Sequence, residues 1–465
     1  MKSSLAKNTV LLAMGTILNK LLQFVMIPFF SRWLSTEDYG SFDLFCTYAL
    51  LLIPILTLAS SEAVFRFLVD EEDDSHKKRY ITNGFVICTC MVFAFIVVII
   101  AFSAKVKWNY TTPFLLFVIG QVYNNYLQGY MRGIKKLNIY SFCSAISTVF
   151  IAVGVTAFVF WNKLGLSGIL YGYAFGYIVG DLLIVIATKF WRLFDFRTFS
   201  IQCCKEMTKY SYPLIPNNIC WWVIGASDRM IINWQIGAVA NGVYAIAHKV
   251  PNLCSAIFGV FNISWQQAAS EMRDDKEKEK YFNYILNVLL SLIISLCCGI
   301  VAINFVLFDY VFDLKYCDGR LYAPILVSAL IFSSISNFFG GIQISMKRTK
   351  ANGLSTMCGA IANVVIHIAL VQAIGLYAAC LSTVIAHGLV FCIRWIGLSR
   401  EYVFRIDKRN IEGLIIFVFI VMSQFHWYHT SLIRAINMTI SVITFCFLNR
   451  DLVRKYLRKV IKLRV

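Results

Sequence analysis

The chain has 465 residues, of which 59% are apolar and 15% charged, with a mean hydropathy of +0.68; soluble chains run at about 45–50% apolar and about 25% charged. The excess is spread along the whole length, which excludes a soluble body on a single anchor. The net charge of +18 lies in short clusters between apolar runs, not along one face, which excludes a nucleic-acid surface. The expected class is an all-α polytopic membrane protein.

In chain order, Met1 to Lys7 is short and basic, and the apolar stretch behind it has no small-residue cleavage site, so it reads as a first span and not a leader. A crossing needs about 20 mostly apolar residues. Fourteen such runs occur, at 8–31, 41–66, 81–103, 112–131, 139–160, 166–188, 210–234, 242–268, 282–306, 321–345, 352–373, 376–396, 411–427 and 430–448. With a cytoplasmic N-terminus, the cytoplasmic segments hold 31 of the 43 Lys and Arg residues, the opposite loops 6 and the spans 6. That asymmetry is what the positive-inside rule demands, and it places both termini in the cytoplasm.

The chain also repeats itself. Arg32-Trp33-Leu34 leading to Tyr39-Gly40 after span 1 matches Asn233-Trp234 leading to Gly242-Val243-Tyr244 after span 7. Arg132, Lys135 and Lys136 precede a span closed by Gly165-Leu166; Lys347, Arg348 and Lys350 precede one closed by Gly375-Leu376. Two parallel six-helix lobes are therefore expected, with the substrate path between them, an arrangement found in transporters. The expected divisions are an N-lobe at 1–190, a cytoplasmic linker at 191–209, a C-lobe at 210–400, accessory spans at 411–448 and a basic tail at 449–465.

Ionisable and amide groups inside spans carry the functional signal, since a charge at a span centre costs about 2.5–3.5 kcal/mol on insertion scales. In span 1, Thr16, Asn19, Lys20 and Gln23 share one helical face; in span 4, Gln121, Asn124, Asn125, Gln128 and Arg132 form a second stripe. In span 7, Asn217 and Asp228 share a side, as do Asn218 and Arg229, and His248 with Lys249 enters span 8. Glu62 and Arg66 stand at i, i+4 and are expected to pair. Asp228 and Arg229 point about 100° apart and so reach different partners. Each amide read singly is a helix-to-helix hydrogen bond; two stripes with cations call for a wet cavity or acidic partners. Lys20, Arg229 and Lys249, with Arg66 and Arg132 nearer the cytoplasmic mouth, suit an anionic substrate, and the amides suit a hydroxyl-rich one. Asp181, His367, His387 and Arg394 are weaker candidates. The fifteen scattered cysteines have no metal-like spacing, so neither a metal nor a cofactor is expected.

Tyr212-Pro213-Leu214-Ile215-Pro216, then Ser227-Asp228-Arg229, then Gly242-Val243-Tyr244 resembles the middle of polysaccharide biosynthesis proteins of the lipid-linked oligosaccharide flippase (Wzx) type. Lys7-Asn8-Thr9 with Gly15, the Arg32 to Gly40 turn and Lys347-Arg348-Thr349-Lys350 also fit, so the resemblance covers residues 5–400. It implies a bacterial inner-membrane transporter in the superfamily of multidrug and toxin exporters and peptidoglycan-precursor flippases, with its two six-helix lobes forming a V-shaped central cavity and two extra C-terminal helices. The implied substrate is an undecaprenyl-pyrophosphate-linked oligosaccharide, a repeat unit of O-antigen, capsule or exopolysaccharide, moved to the outer leaflet by alternating access. Proton or sodium coupling stays open, with Glu62 and Asp228 as candidates; the partners are membrane lipids and the pathway's polymerase and chain-length regulator. Span 8 ends Ser264-Trp265-Gln266-Gln267, where the family pattern has a proline soon after the tryptophan, and that departure puts the bend at its cytoplasmic end in doubt. A drug exporter would carry a carboxylate in span 1, where this chain has Lys20. Two alternatives remain: a small-molecule exporter, and a membrane polymerase or glycosyltransferase. The enzyme would need a catalytic pocket, yet the largest external connection is about fourteen residues, Leu307 to Arg320, and Glu37-Asp38 is the one acidic pair outside.

Overall fold

The computed structural model describes residues 24–69, 71–272, 277–346, 348–427 and 430–451, and all regular structure among them is helical. The helices are α1 (24–33), α2 (Thr36–Leu56), α3 (Ser60–Val69), α4 (Asp74–Val106), α5 (Thr111–Gly133), α6 (Leu137–Val155), α7 (Gly165–Thr188), α8 (Ile201–Ser211) and α9 (Leu214–Gln235), followed by α10 (Ala238–Glu271), α11 (Lys278–Ala302), α12 (Asn304–Val306), α13 (Gly319–Ser345), α14 (Thr349–Ile374), α15 (Leu376–Leu398), α16 (Lys408–His426) and α17 (Ser431–Leu448). Every expected span from the second to the fourteenth lies on helix, and nine helices among the described residues are long and apolar enough to cross a bilayer. Below that bar fall α5, α9 and α10, which carry the polar groups of spans 4, 7 and 8, and α16, whose first turns are charged.

Two compact units divide at Met230/Ile231, inside α9, and not at the expected linker. Residues 191–209 are instead docked on the first unit. Thr82 accepts the Asp195 N–H at 3.0 Å, and Asn83 donates to the Thr198 carbonyl (3.1 Å) while accepting the Ser200 N–H (2.9 Å). Cys203, Met207 and Ser211, spaced four apart on α8, form its buried face against α3 and α4.

In the first unit α5 packs on α3, α4 and α7, and α6 pairs with α7. The α6–α7 contact is close because α7 offers no side chain at Gly176: a Cβ there would stand 2.6 Å from the Ile151 backbone nitrogen. Ser147 uses the gap to donate to the Gly176 carbonyl at 2.7 Å. Such small-residue seams are how helices associate where lipid supplies no hydrophobic drive.

Span 2, expected to be continuous over 41–66, is broken. Pro54 removes one helical N–H, and Leu58 and Ala59 then adopt left-handed φ values of 46° and 52°. For residues with a Cβ that costs roughly 1–2 kcal/mol each. Thr57 steadies the break, its hydroxyl donating to Ile53 O (2.8 Å) and accepting from Ala59 N (3.2 Å), and Ser211 donates to Leu58 O at 2.7 Å.

In the second unit the most buried helix is α13, packed on α10, α11 and α15. At the position where a proline bend was in doubt, α10 continues to Glu271, and its one internal proline is Pro251. Trp265 explains the straight passage: it is buried, stacks on Phe338 at 4.4 Å and 14°, and donates Nε1–H to Phe338 O at 2.8 Å. The α14–α15 hairpin turns at Gly375 (φ 57°) and the α6–α7 hairpin at Gly165 (φ 53°), both at a positive φ that a glycine adopts without strain. Helices α16 and α17 dock on α11 through amides. Asn283 and Asn287 donate to Val403 O (2.9 Å) and Arg405 O (2.8 Å) and accept from Arg405 N (2.7 Å) and Asp407 N (2.8 Å). Asn410 and Asn449 continue the series to Asn287 O (3.1 Å) and Ser295 Oγ (3.1 Å).

Candidate functional site

Of the stripe expected on span 4, Gln121, Asn124, Asn125 and Gln128 are all half-buried on α5. Its neighbour is α3, drawn close because Ser61 Oγ donates to Asn125 O (2.9 Å) and Gly129 leaves room for the Ser61 carbonyl. Asn124 Nδ2 donates to Asp181 Oδ1 on α7 at 2.8 Å. Asp181 ranked as a weak candidate in sequence, yet it is the carboxylate the stripe reaches.

At the end of α5 next to the basic loops, Arg132 NH1 meets Glu62 Oε1 at 3.1 Å, with the guanidinium 4.2 Å from the Phe65 ring centroid. The expected i, i+4 partner of Glu62 was Arg66; the ion pair that forms across helices is with Arg132, because α3 and α5 approach closely there. Arg66 is exposed on α3. The Glu62 and Arg132 side chains are 41% and 36% exposed, so this pair is open to water. One N–H of Arg132 is used on Glu62, which leaves planar donors for an incoming anion.

A second, buried ion pair joins α2 and α9. Arg229 Nε meets Asp43 Oδ2 at 2.6 Å, and Arg229 NH1 donates to Gly225 O at 3.0 Å. Both side chains are under a tenth exposed, at 9% and 6%. Trp222 Nε1 also ties α9 to α2 through Thr47 O, at 2.8 Å. Arg229 is thus engaged in a buried pair, which changes its standing from the open cation expected for substrate to a pin between α2 and α9. Asp228 beside it is buried too. Asp43, a carboxylate inside the expected span 2, is a signal the sequence reading passed over; its partner, 186 residues away, left no local trace.

Of the other candidates, Asn19, Lys20 and Gln23 lie outside the described residues, as does the side chain of Asn217; Asn218 is half-buried on α9. His248 and Lys249 are half-buried on α10, in the second unit, with the His248 ring 5.6 Å from that of Tyr244. Arg394 is buried among neutral acceptors: the hydroxyls of Ser355 (2.9 Å) and Thr356 (2.8 Å) and the carbonyls of Ser336 (2.7 Å) and Asn352 (3.3 Å). It knits α13, α14 and α15 together. Between α10, α11 and α17 runs an apolar groove of about 670 Å³, lined by Phe258, Phe261, Leu289, Ile300, Met438 and Val442 among others.

Fold and site together define a polytopic helical membrane protein with polar stripes and ionic groups held inside its bundles. The structure is similar to a lipid II flippase MurJ in an inward closed conformation, with a TM-score of 0.74 at 14% identity, covering 96% of this chain and all of that one. It is also similar to an inward-facing multidrug resistance MATE transporter of the MOP superfamily, with a TM-score of 0.66 at 12% identity over 89% and 96% of the two chains. A membrane protein of Methanocaldococcus jannaschii, described as uncharacterised, is 20% identical over 85% of this chain and 98% of its own length. Residues 5–269 match the model of one family, and the chain belongs to it: the polysaccharide biosynthesis proteins.

Proposed function

We propose that this protein is a flippase that moves a polyprenyl-pyrophosphate-linked oligosaccharide, of the undecaprenyl type, from the inner to the outer leaflet of the bacterial inner membrane. The observation that carries the reading is Arg132: a guanidinium at the end of a membrane helix, open to water, held by one carboxylate and backed by an amide stripe. A diphosphate takes the planar donors, and sugar hydroxyls take Gln121, Asn125 and Gln128. The lipid tail stays in apolar surroundings. Both termini face the cytoplasm by the charge asymmetry, so Arg132 meets substrate on the side where lipid-linked repeat units are made. Arg66, exposed on α3 of the same unit, adds a second cation. If transport is coupled to a proton or sodium gradient, Glu62 is better placed than Asp228, since it is the water-accessible carboxylate of the two. Polymerase and chain-length regulator are the pathway partners, and this chain performs no covalent chemistry in the scheme.

The test is complementation of a strain deleted for the gene. Loss of a flippase leaves lipid-linked repeat units trapped on the cytoplasmic face, and Arg132→Ala reproduces that trap at normal protein level. Single repeats delivered outside but not polymerised would instead identify a polymerase and sink the proposal. The fold shared with MATE transporters supports a second reading, small-molecule export. Wild-type drug resistance gained on overexpression, with polysaccharide unaffected by deletion, would select it.

A further inference from the structure

We propose that residues 190–201 form an anchor on the membrane surface that binds acidic phospholipid headgroups. The segment has two faces. Phe190 and Phe194 turn inward onto Phe85, at 5.8 and 5.4 Å between ring centroids. Trp191, Phe196, Phe199 and Ile201 turn outward, at 56%, 70%, 45% and 65% exposure. Lys189, Arg192 and Arg197 are exposed among them. Over 189–209 the chain carries five cations against two carboxylates.

Depth decides what covers this face. The segment is hydrogen-bonded at Asp195, Thr198 and Ser200 to Thr82 and Asn83 of α4, both fully buried. Those two residues stand at the start of the third apolar run, which opens at residue 81, and α4 extends beyond it to Asp74. The exposed aromatics are therefore held level with the boundary between acyl chains and headgroups, where Trp and Arg side chains are at home. A protein partner in the cytoplasm would have to reach past the first turns of α4 to contact them. Acidic lipid is already there and matches the sign of the charge. Anchored in this way, the connection from α7 to α8 is fixed to the leaflet surface and cannot swing as a free linker. The inference does not depend on what the protein transports.

Full-length protein in lipid nanodiscs tests it by hydrogen exchange. Amides of 190–201 should exchange about threefold more slowly in discs containing phosphatidylglycerol than in pure phosphatidylcholine. Arg192→Gln/Arg197→Gln should erase the difference, while the 84–100 stretch of α4 stays equally protected as the control for folding. As an independent readout, the fluorescence lost on Trp191→Phe should be quenched by brominated phosphatidylglycerol in the wild type. Equal exchange in both lipids with an unquenched Trp191 would overturn the proposal, as would protection of the segment that appears only with a cytoplasmic protein added.

Discussion

Removing the Asp43 carboxylate takes away an ion-pair partner of the Arg229 guanidinium inside the first unit. The two side chains are 6% and 9% exposed, so water cannot readily replace that partner, and the Gly225 O that NH1 meets is a neutral acceptor. Breaking a buried pair from one side costs about 3–5 kcal/mol, whereas replacing both partners with apolar groups is close to neutral. Asp43→Ala should therefore lower the unfolding temperature on the order of 10 °C, and Asp43→Ala/Arg229→Leu should recover most of that loss. Fluorescence-detected size-exclusion of heated, detergent-solubilised, tagged protein measures both. The reasoning fails if Asp43→Ala melts with the wild type, or if the double variant is as unstable as the single one.

Gly129→Ala places a Cβ 2.2 Å from the Ser61 carbonyl oxygen; α3 and α5 must part, at about 1–3 kcal/mol, and the same heating assay should show the loss. Ala59→Gly relieves a left-handed residue and should stabilise by about 1 kcal/mol, while Ala59→Val should destabilise. Trp265→Phe keeps the ring contact but gives up the bond to Phe338 O, so it should cost about 1 kcal/mol; Trp265→Ala, which empties the site, should cost about 3–5 kcal/mol.

Apolar length was enough to find the spans because lipid offers no alternative to a closed helix. The Gly165 and Gly375 turns were legible for a similar reason: a hairpin so tight needs a residue without a Cβ. The α5 stripe was legible because one helix face is a local pattern. Long-range pairing was not. Glu62 had an obvious neighbour in Arg66, but the approach of α3 to α5, set by Ser61 and Gly129, brought Arg132 within 3.1 Å. Asp43 gave no hint of Arg229, since nothing local records which helices lie side by side. The break at Leu58 and Ala59 hid behind two residues that seldom adopt that geometry, with Pro54 as its one visible trace.

The asparagine contacts on α11 have a consequence for how this protein can vary. Asn283 and Asn287 bind the stretch from Val403 to Asp407 through its main chain alone, as an edge strand would. The exposed side chains at 403 and 405–407 are therefore at liberty to drift, whereas Phe404 is held by its ring contacts with Phe339 and Trp395, and proline is barred at 405 and 407, where an N–H is required. Two amides one turn apart thus hold the approach to α16 by the course of its backbone and not by its sequence.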